Sequence, residues 1–181
     1  SLGELLVGIV RDPAHGYVLT LAAGGILTEL LEDSTSLIVP AGGDEITKAL
    51  ENLKIGRVLT GYRGKPPCDL GAIVEAVQAV QAFVLSAPVE EVEINPLLCG
   101  ADFAVAVGVV FFKGEPYETA AIVNRLQEAS KLPLLMASDY EWGTAMRVQG
   151  GRRFPRAMAM GAGASLVDME FQAEVTAREA L

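Results

Sequence analysis

The sequence predicts an α/β fold built on a mixed sheet, and three observations carry that prediction. Apolar, β-branched runs recur in pairs separated by turn chemistry, as "ELLVGIVRD" and "YVLTLAAGG" do around "DPAHG". Two long segments repeat their apolar residues at helical spacing. Between Val109 and Ser138 a strand, a helix and a second short apolar run follow one another, the order of a parallel crossover. With 181 residues, 51% of them apolar, the chain has material for one ordinary core or two thin ones.

Each element has its own local reason. The first two strands are divided by "DPAHG", whose Pro and Gly set a turn. "ILTELLEDSTSLIVP" fits a helix by its apolar spacing and an extended segment by its β-branched residues and Pro40, and both readings stay open. "DEITKALENL" is a helix of about three turns with acids in its first turn, where they favour the macrodipole. "GYRGKPPCD" is loop chemistry. "DLGAIVEAVQAVQAFVLSAP" is the clearest helix, with Asp69 as N-cap and Ile73, Val74, Val77, Val80 and Phe83 on one stripe. "EEVEINPLL" and "FAVAVG", joined by "CGAD", form a hairpin, and "VVFF" continues the apolar run. "EPYETAAIVNRLQEAS" is a helix and "LPLLMAS" a short buried strand. "DYEWGTAMRVQGGRRFPRAMAMGAGAS" reads as a long irregular loop, followed by a last helix from about Leu166.

Composition excludes several classes. A net charge of -9 argues against a nucleic-acid partner, which needs clustered Lys and Arg, and against anionic membranes. No apolar run reaches the length of a membrane span, and "SLGELLVG" shows no export signal. Cys68 and Cys99 lack metal-ligand spacing and suggest a reducing compartment, so a cytoplasmic location is expected. His15, the single histidine, reads as structural.

The motifs "GELLVGIVRDPAHG", "AAGGILTELLEDS", "GYRGKPPCD" and "EINPLL", in that order, resemble the ATP-grasp domain of NDP-forming acyl-CoA synthetases. The resemblance spans about residues 3–107 and corresponds to the carboxy-terminal part of that domain. It implies weak Mg2+ and ATP binding at most, with Glu4, Gly24, Gly25 and Arg63 near the nucleotide and Asn95 and Glu93 at the metal. Mg2+ takes oxygen ligands in near-octahedral array, commonly with one or two protein carboxylates. The family places an acid on the strand after the Asn; here that position is Gly108, so the second carboxylate is missing. Asp102 lies in the turn, and Asp12 matches a recurrent acid of the motifs. Alternation puts Glu93 on the face of Asn95.

From Val109 onward, "GVVFFKGEPYETAAIVNRLQEASKLPLLMASDYEWGTAMRVQGGRRFPRAMAMGA" resembles the start of the catalytic barrel of glycoside hydrolase family 3. That resemblance implies sugar contacts from Asp139, with Glu141 and Arg147 shaping the loop by pairing and Trp142 available for stacking. A retaining glycosidase needs two carboxylates at fixed separation, and a closed barrel needs eight strands, of which about two are present. No catalytic residue is assigned. The expected organisation is therefore an ATP-grasp-like half-domain, 1–107, followed by a barrel-derived βα(β) segment, 108–181: a chimera of two fragments. Three functions stay open: residual nucleotide binding, residual carbohydrate binding, or a folded chimera without a ligand. The uncharged apolar run from Phe103 to Phe112 is expected to be central and covered, or else to drive self-association.

Overall fold

The computed structural model describes residues 1–25, 32–86, 89–106, 108–111, 115–130 and 133–180. β1 (Gly3–Asp12) and β2 (Gly16–Ala23) form the expected hairpin, with Leu5 opposite Ala23 and Asp12 opposite Gly16. Asp12 closes its turn by accepting the Ala14 and His15 backbone N–H groups, each at 2.8 Å, while Nδ1 of His15 meets the same oxygen at 2.8 Å. β3 (Ser34–Ile38) resolves part of the open "ILTELLEDSTSLIVP" segment as extended. Residues 26–31 of it lie outside the described residues.

α1 (Gly43–Asn52), the short α2 (Gly56–Leu59) and α3 (Leu70–Ser86) follow. The Asp69 carboxylate accepts the Ala72 N–H at 3.0 Å, the expected N-cap. α3 buries Ile73, Val77, Gln81 and Val84, a stripe at helical spacing that includes one amide. Gln81 is only 4% exposed; its side chain accepts the Ala41 N–H at 2.7 Å and donates to the Ala41 carbonyl at 3.2 Å. It thereby ties α3 to the segment entering α1. Asp33 does similar work, accepting the N–H groups of Lys54 and Ile55 at 2.8 and 2.9 Å.

β4 (Glu91–Cys99), β5 (Ala104–Ala106) and β6 (Gly108–Phe111) come next, then α4 (Pro116–Ala129) and β7 (Leu135–Ala137). The strands make one sheet in the order β3-β2-β1-β4-β6-β7, with β5 also paired to β4. All the pairs are antiparallel except β6 with β7, the expected parallel crossover. The two halves expected from the sequence thus share one sheet. They also share one core: Val109 and Ile122 are buried in the same cluster as Leu5, Leu19, Ile46 and Ile73. β6 is central, between β4 and β7, whereas β5 leaves Val105 43% exposed. Residues 107 and 112 of the apolar run lie outside the described residues.

One β-bulge governs which residues face the core. Leu5 opposes Leu97 and Val7 opposes Ile94, so two residues of β4, Asn95 and Pro96, stand against Leu6 alone. Val92, Ile94, Leu97 and Cys99 consequently all face the helices, although a strict alternation would have turned the last two away. Glu4, Leu6, Gly8, Thr20, Glu91 and Glu93 lie half-buried on the opposite face.

The stretch read as one irregular loop is shorter than expected. It holds a 3-10 turn (Thr144–Met146) and a helix, α5 (Ala157–Gly163), before α6 (Leu166–Ala180). The run "AMAMGAG" is small and unbranched enough to wind into two turns despite its glycines, and an Ala-rich segment is a good helix former. Neither α5 nor α6 has a buried residue. No helix of the described residues is long and apolar enough to cross a membrane.

Candidate functional site

Four of the residues singled out by sequence meet at one corner of the sheet. Gly24, just beyond β2, donates its N–H to the Glu4 carbonyl at 2.8 Å, and Gly25 donates to Oδ1 of Asn95 at 3.0 Å. A Cβ on Gly24 would stand 2.5 Å from the Leu5 carbonyl carbon, and one on Gly25 would stand 2.1 Å from Oε2 of Glu4. Gly25 also has φ +65, the left-handed region that favours glycine. The glycine pair therefore exists to let the chain pass against β1 and the Glu4 carboxylate. Both N–H groups are already donated within the protein, so in this conformation the pair forms a bend whose backbone has no N–H left to offer a phosphate.

Register shows what stands opposite Asn95. Glu93 opposes Val110 and Leu97 opposes Ala106, which sets Gly108 across from Asn95. The position expected to lack a carboxylate is thus the one that faces Asn95. The structure adds the reason that no side chain stands there: a Cβ on Gly108 would lie 2.6 Å from the Leu135 carbonyl oxygen and 3.1 Å from its Cβ. Pairing with β7 fills the space. Glu93 shares the polar face with Asn95, as alternation implied, and Glu91 joins them, a third member of the same alternation that the sequence reading passed over. Burial holds the Glu93 carboxyl above its usual range; the hydrogen bond to Asn95 opposes this, and the charges of Glu91 and Asp139 add to it. Asp102 is exposed in the bend before β5. Among the described residues, no group of three His, Cys, Asp or Glu side chains is arranged to hold a metal ion. An amide oxygen already accepting a hydrogen bond, facing a position that has no room for a side chain, does not supply the oxygen set of a resident Mg2+.

The other expected site residues are placed elsewhere. Arg63 has φ +50 and lies with its guanidinium carbon 5.3 Å from the centroid of the Tyr62 ring. With Leu2, Val58 and Lys65 it lines a separate hollow of about 190 Å3. No described hydrogen bond or ion pair joins it to the Glu4–Asn95 corner. Asp139 follows β7 and makes an ion pair with Arg147 at 3.7 Å. Arg147 thus meets Asp139, and the Glu141 carbonyl accepts from the Gln172 side chain at 3.0 Å. Trp142 is half-buried and accepts the Phe154 N–H through its carbonyl at 3.1 Å. Glu179 of α6, unremarked in the sequence, accepts from the Thr144 hydroxyl and from the Arg152 N–H at 3.0 Å, and these bonds hold its carboxyl below the usual range. Its partners lie some 30 residues away in the chain, so no local pattern announces them.

Residues 2–112 match the family model described as an ATP-grasp domain, well over half of the chain. The chain belongs to the ATP-grasp family. The match runs through β6, a few residues past the expected boundary at 107/108. The acetate–CoA ligase (ADP-forming) I subunit beta of Pyrococcus furiosus is 30% identical over 105 residues, covering 58% of this chain and 45% of that subunit. The acetate–CoA ligase (ADP-forming) I of Archaeoglobus fulgidus is 35% identical over 95 residues, covering 52% of this chain and 14% of that protein. Among solved structures, the dinucleotide-forming acetyl-coenzyme A synthetase 1 of Ca. Korarchaeum cryptofilum, in complex with coenzyme A, Ca-AMPCP and HgCl+, superposes with a TM-score of 0.55 at 26% identity, covering 59% of this chain and 47% of that one. The ATP-grasp chain described here spans less than half the length of these relatives. The likenesses bear on the ATP-grasp expectation alone; the glycoside-hydrolase-like and chimeric expectations rest on the sequence motifs.

Proposed function

We propose that this ATP-grasp chain is the nucleotide-contacting portion of an acid–CoA ligase of the ADP-forming type, and that by itself it binds adenine nucleotide weakly without turning over. The observation that carries this reading is the corner in which Glu4, Gly24, Gly25 and Asn95 meet on the sheet. The relatives named above are acetate–CoA ligases, and one is a complex with coenzyme A and a nucleotide analogue. The Glu4 carboxylate and the Asn95 amide offer a nucleotide hydrogen bonds to its sugar and base beside the close-packed glycines, while Arg63 lines a separate hollow and has no described bond to them. Mg2+ supplies charge neutralisation of phosphates where a full oxygen set exists; the described residues lack that set, so in this reading affinity depends little on the metal. Residues 1–107 form the nucleotide lobe in this reading, and residues 108–181 extend its sheet.

Isothermal titration calorimetry with ATP, with and without Mg2+, tests the proposal. Weak heat in the millimolar range is expected, nearly the same with the metal and lost in Asn95→Ala. No heat at millimolar ATP in either condition refutes the nucleotide reading. Tight stoichiometric uptake that requires Mg2+ refutes the incomplete metal site.

A second reading is favoured by one observation. β6, α4 and β7 form a parallel crossover, and Asp139 follows the end of β7 in an ion pair with Arg147, as a ligand-holding acid at a barrel strand would. In that reading residues 109–181 are a glycoside-hydrolase-like fragment joined to the lobe as a chimera. Binding of a β-glucoside that is lost in Asp139→Asn supports it, and absence of binding removes it.

A further inference from the structure

A cavity of about 560 Å3 lies between α4, the carboxyl end of β7 and the last turn of α6, outside the residues that match the ATP-grasp family. We propose that it is a binding site for a small, non-anionic organic molecule carrying hydroxyl or amine donors beside an apolar body. Four features lead there.

The first is position. In sheets with parallel strands, ligands collect in crevices beyond the carboxyl ends of the strands, because the chain turns away there and leaves space between strand and helix. β6 and β7 are the parallel pair of this fold, and the cavity is lined by Met136, Ser138 and Tyr140 at the end of β7. Met136 packs against the hydrophobic core, so the cavity lies on the helix-covered side of the sheet. The Glu4–Asn95 corner lies on the other face.

The second is size, which falls within the range that holds a small ligand. The third is the lining. Val123 and Met136 give an apolar wall, while Thr119, Asn124 and Tyr140 bring a hydroxyl, an amide and a phenol to the lining. None of these three side chains makes a hydrogen bond or ion pair to another described residue. A mainly apolar surface with a few convergent polar groups is the usual composition of a ligand pocket. The spacing of Pro116, Thr119, Ala120, Val123 and Asn124 is that of one helix stripe, so α4 offers all of them to a single occupant.

The fourth is charge. Among the described residues Glu179 is the only charged one in the lining; it is anchored by Thr144 and the Arg152 N–H, with the Arg152 guanidinium 4.0 Å away. No described Lys or Arg lines the cavity, so a phosphate or carboxylate meets no described counter-charge in the lining and comes up against Glu179, whose charge Arg152 offsets only in part. A neutral or ammonium-bearing molecule meets no such cost.

Amide NMR on the full chain tests the site with three probes of one size: resorcinol, tyramine and phenyl phosphate. Resorcinol and tyramine at millimolar concentration are expected to shift the amides of residues 119–124 and 136–140, with phenyl phosphate roughly tenfold weaker, the scale of one opposed charge at short range. Ala120 is exposed, so Ala120→Trp fills the cavity at little cost to folding and abolishes the shifts. Asn124→Leu weakens them several-fold and guards against a folding defect in the first variant. The proposal is overturned if neither resorcinol nor tyramine moves these amides, if phenyl phosphate binds as well as they do, or if the shifts survive Ala120→Trp. ATP in the same experiment reads out on Gly24, Gly25 and Asn95, so either site can fail without the other.

Discussion

Replacing Gly24 and Gly25 separately by alanine discriminates between two reasons for a glycine. At Gly24 the new methyl would meet main chain: 2.5 Å to the Leu5 carbonyl carbon, 2.7 Å to its oxygen and 2.9 Å to its nitrogen. Leu5 is fully buried in β1, which is hydrogen-bonded on both sides, to β2 and β4. It cannot retreat without breaking a ladder, so the cost belongs at the upper end of overpacking, about 3 kcal/mol. At Gly25 the methyl would meet only the tip of the Glu4 side chain, which can rotate away. What remains is the left-handed backbone, about 1 kcal/mol for alanine. Urea denaturation separates the two. With an m-value of roughly 2 kcal/mol/M, Gly24→Ala lowers the midpoint by about 1.5 M and Gly25→Ala by about 0.5 M. A Gly24→Ala midpoint equal to that of the parent chain, or a Gly25→Ala loss larger than that of Gly24→Ala, would refute the reasoning that β1 is the immovable wall.

Three further outcomes are expected. Gln81→Leu strips both partners from the buried Ala41 peptide groups and costs about 2–4 kcal/mol in the same denaturation assay. Gly108→Asp does not complete a metal site, because its side chain collides with Leu135; Mn2+ relaxation enhancement stays at the parent level while amide exchange at Leu135–Ala137 accelerates. Burial pushes the Cys99 thiol up to about 12. Its neutral form is favoured by folding, so that contribution is complete below the unfolded thiol pKa of about 8.5 and is lost as pH rises from there toward the folded value. Stability measured by urea should fall across that window, less steeply in Cys99→Ala, and Cys99 should resist alkylation until the chain unfolds.

Turn chemistry, helix stripes and the crossover order were readable because each depends on neighbours a few residues apart. Asp12 in "DPAHG", Asp69 before α3 and the alternation of "EVEIN" all show this. The bulge at Asn95–Pro96 was not readable, since nothing in β4 alone reveals that Leu6 faces two residues. The stripe of α3 reads as wholly apolar in sequence because the bidentate partner of Gln81 is a peptide group 40 residues away. Gly108 reads as a position lacking an acid, and the wall that Leu135 sets there needs the pairing of β6 with β7. Motif order groups Arg63 with the glycines, and only the fold places it in a separate hollow.

The place of β1 between β2 and β4 sets a timetable for synthesis. The β1–β2 hairpin closes over a three-residue turn, yet the other edge of β1 finds its partners only in β4, where Leu5 meets Leu97 and Gly3 meets Cys99. Until then a nascent chain carries one unsatisfied edge of a strand that the fold pairs on both sides, and long-range pairing of this kind is slow. A chaperone that shields extended apolar segments should therefore raise the soluble yield most when it acts before residue 99 emerges.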